Sequence, residues 1–188
     1  MTPKVGGSPA AAQVALDEEP VSPADVVIAL GANLGDRLAT LQSAVSALAT
    51  FEGVKLGAVS AVFETAPAGG PPDQPDYLNA VVVLTTTRDA VALLALAHDL
   101  EAAAGRVRLE RWGPRTLDVD VIDVDGEVSP DPVLTLPHPR AHERAFVLVP
   151  WHDVDPEAVL AGHGPVTDLL SGVADQQVRR TDQVLVVR

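Results

Sequence analysis

Two aspartates, Asp118 and Asp120, stand in a run, Leu117–Val124, that otherwise reads as a buried strand of Val, Leu and Ile. Side chains alternate along a strand, so both carboxylates point to one face and Leu117, Val119 and Val121 to the other. About 7 Å apart by the strand rise, they repel each other, and unpaired carboxylates on a core strand are costly. Something cationic must compensate them. Only oxygen donors are offered, and magnesium accepts a few carboxylates together with phosphate and water oxygens. A solvated edge pair is the plainer reading of the same triplet. Directly upstream, "GRVRLERWGPR" places Arg106, Arg108, Arg111 and Arg115 within ten residues, four of the thirteen basic residues in the chain. Guanidinium forks suit phosphate oxygens, although a salt-bridged, solvated turn has the same composition. Together, the loop and the aspartate pair favour a metal-assisted polyphosphate site.

Two further groupings offer contacts. In "DQPDYLNA", Tyr77 and Asn79 share a face at the start of a strand, one a ring to stack on and the other an amide with donors and acceptors. In "LPHPRAHERAFVLVP", His138 sits between two prolines in a fixed extended segment, followed by Arg140, His142 and Arg144. A half-buried tyrosine, a strand-end asparagine and a structural turn are the bland alternatives. Asp123 and Asp125 approach a turn at Gly126, where aspartate is an ordinary turn residue.

The elements that must position these groups follow from the rest of the chain. At 188 residues, 47% of them apolar, the chain is long enough for one domain with a real core. It has no run of about 18 apolar residues and no cysteine, which excludes disulfides and thiolate metal sites. A net charge of −13 argues against a general nucleic-acid binder. The start lacks a secretory layout, so a cytoplasmic protein without membrane association is expected; separately, small-molecule partners and a monomer are the expectation. Residues 1–24, rich in Ala, Pro, Gly and Ser, are expected to be a disordered tail before one domain at 25–188.

Strands are predicted at 26–30, 54–65, 77–87 and 116–124, with a hairpin through "DVDGEV" and a further strand at "QVLVV". Helices are predicted after Asp36, with Leu38, Leu41, Val45 and Leu48 on one face, and at 88–105, ending at Gly105. Beyond His138 short helices are expected. The order β-α-β-β-α-β predicts an α+β fold, a ferredoxin-like antiparallel sheet with two helices on one face. The other face is left to carry a site, unless the C-terminal third covers it. Fold alone implies no activity.

Residues 26 to about 152 resemble the 6-hydroxymethyl-7,8-dihydropterin pyrophosphokinases of folate biosynthesis. "RWGPRTLDVDVI" carries the long signature, while "GANLGD", "DQPDYLNA", "GRVR" and "LPHPRAHERAFVL" match in order. The resemblance implies transfer of pyrophosphate from ATP to the pterin hydroxymethyl group, with AMP released. It further implies that Asp118 and Asp120 hold two magnesium ions, and that Arg106, Arg108, Arg115, His138 and Arg144 contact the triphosphate or shape its loop. Trp112 would move with that loop as it closes. Tyr77 and Phe146 would sandwich the pterin, with Asn79 and the backbone at Thr65, Ala66 and Ala68 reading its polar edge. Glu101 matches a polar position at the metal and nucleotide end. The chain departs from the pattern with a longer loop at Gly69–Gly70, His98 in place of a glutamine, and Asp123 at a usually apolar position. A metal-dependent phosphoesterase and a non-catalytic nucleotide-binding module remain the competing classes, separable by AMP formation with and without the pterin.

Overall fold

The computed structural model describes residues 22–69, 71, 73–105 and 114–187. The expected tail up to residue 21 and Arg106, Arg108, Arg111 and Trp112 lie outside the described residues.

Six strands form one antiparallel sheet: β1 (Ala24–Ala32), β2 (Val54–Val59), β3 (Phe63–Thr65), β4 (Tyr77–Thr86), β5 (Asp118–Val124) and β8 (Val178–Arg180). The order is β5-β1-β4-β3-β8, with β2 also pairing β4. Helices α1 (Arg37–Thr50) and α2 (Ala90–Ala103) cover one face. Each starts on an aspartate: Asp36 Oδ1 accepts the Ala39 N–H at 3.0 Å, and Asp89 Oδ1 accepts that of Ala92 at 2.7 Å. Such caps satisfy amides that the first helical turn leaves unpaired. Leu41, Ala44, Val45 and Leu48 of α1 and Leu93, Leu96, Ala97 and Leu100 of α2 bury the faces set by their three- and four-residue spacing. These helices and strands form the expected α+β, ferredoxin-like arrangement.

The second face is partly covered, as the unresolved alternative in the sequence allowed. Helix α3 (Ala145–Val154), a small hairpin of β6 (Val159–Leu160) and β7 (Gly164–Pro165), and α4 (Val166–Leu169) build a second core with Ile122, Leu148, Trp151 and Leu160. They stop short of one end of β1, β4 and β5, where the cleft opens.

Three sequence expectations are corrected. The predicted strand 54–65 is two strands, because Ser60 Oγ accepts the Val81 N–H at 2.9 Å in place of a ladder carbonyl. The Ala61 N–H goes to Asp153 Oδ2 at 2.9 Å, so the ladder breaks before β3. Asp125 and Gly126, at φ 51° and 68°, make the predicted turn, but no strand returns along β5. Pro130 and Pro132, which lack amide hydrogens, follow, and only a single bridge, Ser129 to Leu136, forms there. The last strand is β8 at 178–180 rather than 183–187; there Leu185 is buried and Val186 bonds to the Gln42 side chain through both its N–H and its C=O.

Candidate active site

Alternation along β5 does what its sequence requires: Val119 and Val121 enter the helix-side core, and Asp118 and Asp120 face the cleft. Neither carboxylate is left uncompensated. The Arg115 guanidinium bonds to Asp118, and Arg144 Nη1 donates to Asp120 Oδ2 at 3.0 Å. His138 Nε2 lies 3.9 Å from the same oxygen. His138 Nδ1 accepts the Arg140 N–H at 3.1 Å, so the neutral ring carries its proton on Nε2, on the side of Asp120. Burial pushes the His138 pKa below the ordinary histidine value, against the pull of Asp120.

Across the sheet from the carboxylates is a slot. Thr65 Oγ1 accepts from Asn79 Nδ2 at 2.9 Å, both residues being buried, which fixes the plane of the amide. Ala66 and Ala68 follow β3 along one wall; Tyr77 opens β4, and Phe146 lies in the first turn of α3. The Arg144 guanidinium carbon sits 5.4 Å from the centre of the Phe146 ring, within cation–π range. One cavity of about 360 Å³ is lined by Thr65, Ala66, Ala68, Tyr77, Asn79 and Phe146 and also by Arg115, Asp118, Asp120 and Arg144. Its polar and flat ends therefore open into one space.

Glu101 stands behind the cavity wall, against β5 between Asp118 and Asp120. It is buried on α2, and its Oε1 accepts the Val119 N–H at 3.1 Å, on the outer edge of β5. It does not line the cavity. Asp123, read from sequence as a turn residue, is buried beside the second core; burial pushes its carboxyl above the usual carboxylate range, while the Gly126 N–H bond pulls it down.

Sequence reasoning missed two residues in the middle of the site. At Gly31 a Cβ would lie 3.2 Å from Asn79 Oδ1 and 3.6 Å from Tyr77 Cδ1, so glycine keeps the cavity floor open. Asn33, 2% exposed, pins two loops: its Oδ1 accepts the Arg115 N–H at 2.7 Å, and its Nδ2 donates to the Pro75 carbonyl at 3.2 Å. The Asn33 and Leu34 amides in turn donate to the Arg115 carbonyl at 3.1 and 3.2 Å. "GANLGD" held the signal, since a polar side chain following a buried strand needs partners.

The donor set suits a magnesium ion that shares its shell with a substrate. Two carboxylates face the cleft, and no group of three or more His, Cys, Asp or Glu among the described residues is placed to hold a metal alone. Magnesium is held in this way by one or two carboxylates together with phosphates and water.

An α+β sheet with a single cleft that joins paired carboxylates, arginines and a flat slot is the architecture of a small-molecule group-transfer enzyme. The model of the 7,8-dihydro-6-hydroxymethylpterin-pyrophosphokinase family matches residues 27–156. A 2-amino-4-hydroxy-6-hydroxymethyldihydropteridine pyrophosphokinase of Mycobacterium tuberculosis is 45% identical over 159 residues, covering 78% of this chain and 82% of the relative. Those of Methylorubrum extorquens and Haemophilus influenzae are 44% and 37% identical, covering 72% and 80% of this chain and 85% and 94% of theirs. Among solved structures, the Plasmodium falciparum HPPK-DHPS protein with pterin and p-hydroxybenzoate superposes with a TM-score of 0.63 at 13% identity over 87% of this chain. The chain spans 46% of that longer protein, and the likeness supports the fold. The chain belongs to the 7,8-dihydro-6-hydroxymethylpterin pyrophosphokinase family. It is an enzyme of folate biosynthesis that transfers a pyrophosphoryl group to hydroxymethyldihydropterin.

Proposed function

We propose that the transfer runs in the cleft at the end of β1, β4 and β5, with the pterin at the Thr65–Asn79 end and ATP at the Asp118–Asp120 end. The observation that carries this reading is that both ends line one cavity. Tyr77 and Phe146 stack on the ring, a geometry worth about 1 kcal/mol beyond area burial. Asn79, its amide plane held by Thr65, reads the polar edge with the backbone of Thr65, Ala66 and Ala68.

Asp118 and Asp120 would hold two magnesium ions; when bound, these neutralise phosphate charge and lower the pKa of the attacking hydroxyl. The work of the chain is positioning and charge. Arg115 and Arg144 already face the cleft beside the carboxylates, where their forks meet triphosphate oxygens and stabilise charge that grows during transfer. His138, kept neutral by burial, presents an Nε2–H to the same region. Arg106, Arg108 and Trp112 belong to this reading through the sequence resemblance. Glu101 enters it as a strut for β5, holding the strand whose opposite face carries the aspartates.

The test is AMP formation from ATP and magnesium. AMP that appears only when hydroxymethyldihydropterin is added is the expected result. ATP hydrolysis without the pterin points to a phosphoesterase, and ATP binding without AMP release to a binding module; either outcome refutes the proposal.

A further inference from the structure

The two residues that close on the flat ring in this reading come from unconnected elements, Tyr77 from the start of β4 and Phe146 from the first turn of α3. The stretch Gln176–Arg180, which no motif of the sequence singled out, touches the supports of both.

On the α3 side, the helix begins at Arg144 with no side-chain cap of its own. Gln176 supplies one from a distance of 31 positions: its Oε1 accepts the Ala145 N–H at 3.0 Å, and its Nε2 donates to the Glu143 carbonyl at 2.8 Å. The bidentate amide fixes the turn that aims Arg144 at Asp120 and Phe146 at the cavity, and Gln176 itself lines that cavity.

Two residues further on, β8 begins and pairs with β3, setting Val178 against Thr65 and Arg179 against Glu64. Arg179 bonds to Glu64 Oε2. Glu64 Oε1 receives Arg37 Nη1 at 3.1 Å, and the same Nη1 donates to the Asp76 carbonyl at 2.6 Å. Asp76 immediately precedes Tyr77, so a chain of charged contacts runs from Arg179 through Glu64 and Arg37 to the root of the tyrosine. Arg179 and Arg37 hold the Glu64 carboxyl below its ordinary pKa, against some desolvation, so the link persists at neutral pH. Arg180 bonds to Asp153 near the end of α3, tying that helix at its other end as well.

We infer that Gln176 and Arg179 are positioning residues for pterin binding, each setting one jaw of the Tyr77–Phe146 slot. The inference rests on the proposed assignment of that slot. Both side chains are exposed, so their removal leaves the cores intact. Arg179 bonds on the Glu64 side of the slot, away from the Asp118–Asp120 end, and Gln176 reaches that end only through the turn that carries Arg144.

The test is steady-state kinetics on Gln176→Ala, Arg179→Ala and Arg179→Lys, with Tyr77→Ala and Phe146→Ala as gauges of the slot. Losing one clamp of about one net hydrogen bond predicts a KM for hydroxymethyldihydropterin raised about five- to tenfold by either alanine. For Arg179→Ala the KM for ATP stays at the wild-type value and kcat changes by less than about twofold, as for loss of uniform binding, and Arg179→Lys recovers most of the pterin affinity. For Gln176→Ala, which also frees the turn carrying Arg144, the KM for ATP rises less than that for the pterin. An equal rise for both substrates, or a lower Tm with both KM values unchanged, overturns the inference. If Tyr77→Ala and Phe146→Ala raise the pterin KM while the Gln176 and Arg179 variants do not, the slot stands and the inference falls. If the gauge variants leave the pterin KM flat, the slot assignment falls and takes the inference with it.

Discussion

Asn33→Ala removes one side chain and loosens the join between two loops. Besides a long contact from Nδ2 to Gln74 Oε1 at 3.5 Å, the asparagine makes two bonds of ordinary length, to the Arg115 N–H at 2.7 Å and to the Pro75 carbonyl at 3.2 Å, from a position 2% exposed. Each bond contributes about 1 kcal/mol net, and stranding the partly buried Arg115 N–H adds about 1 kcal/mol. Pro75 is exposed and its carbonyl turns to water at little cost. The sum is about 3 kcal/mol, which for a chain of this size lowers Tm by about 6–12 °C. Function falls further than stability, because the residue loosened is Arg115, which carries the guanidinium beside Asp118. A displacement of about 1 Å at a reacting centre costs about a hundredfold, and kcat/KM is expected to drop by that order well below the melting transition. Urea denaturation and initial-rate kinetics at 25 °C measure the two quantities separately. A stability loss under 1 kcal/mol together with wild-type kcat/KM would refute the view that Asn33 joins the loops.

Asp118→Asn and Asp120→Asn should each reduce turnover at least a thousandfold while thermal unfolding shifts by no more than the ~1 kcal/mol of a partly exposed pair; near-normal rates at ordinary magnesium concentrations would discard the carboxylates as metal holders. Arg115→Ala should lower kcat more than it weakens ATP binding, since charge at the phosphate oxygens peaks in the transition state; isotherms and saturation kinetics decide, and a loss confined to affinity would make the arginine a binding residue only. Asp123 titrates higher folded than unfolded, so the folded state holds its proton more tightly and the contribution of this group to stability declines as pH rises from the ordinary carboxylate value through the raised one. Asp123→Asn, free of that penalty, should therefore gain on the wild type across this window. A difference in unfolding free energy that is flat from pH 3.5 to 7 would contradict the burial argument.

The carboxylate-bearing face of β5 was legible because a strand has only two faces, and Asp118 and Asp120 had to share one. Tyr77 and Asn79 followed from the same parity, and the caps at Asp36 and Asp89 mark helix starts by chemistry alone. The break at Ser60 was invisible because the apolar pattern runs on through Val62 and Phe63; what interrupts the ladder is a hydroxyl replacing a carbonyl, together with Asp153, 92 positions away, taking an amide. Gln176 is illegible for a related reason. Its partners lie over thirty positions back, and nothing in its neighbours announces a cap for another helix. Asp123 makes the turn bond read for it, to the Gly126 N–H, but its burial was illegible because the hairpin that meets it arrives from residues 159–165, far along the chain.

Gly31 sits between Asn79 on β4 and Asp118 on β5, directly opposite each in the register. Neighbouring strands lie about 4.8 Å apart, so the residue at the flat end and the residue at the charged end are separated by about 10 Å of hydrogen-bonded backbone. That span is a lattice constant of the sheet, and loop movement cannot stretch it. The cleft thus carries a ruler. On the proposed placement, a ring seated at Asn79 would deliver its reacting oxygen within two strand spacings, and an analogue whose arm is one methylene longer would overshoot the carboxylates. Selection for arm length is written into the backbone, and point substitution of side chains leaves it in place.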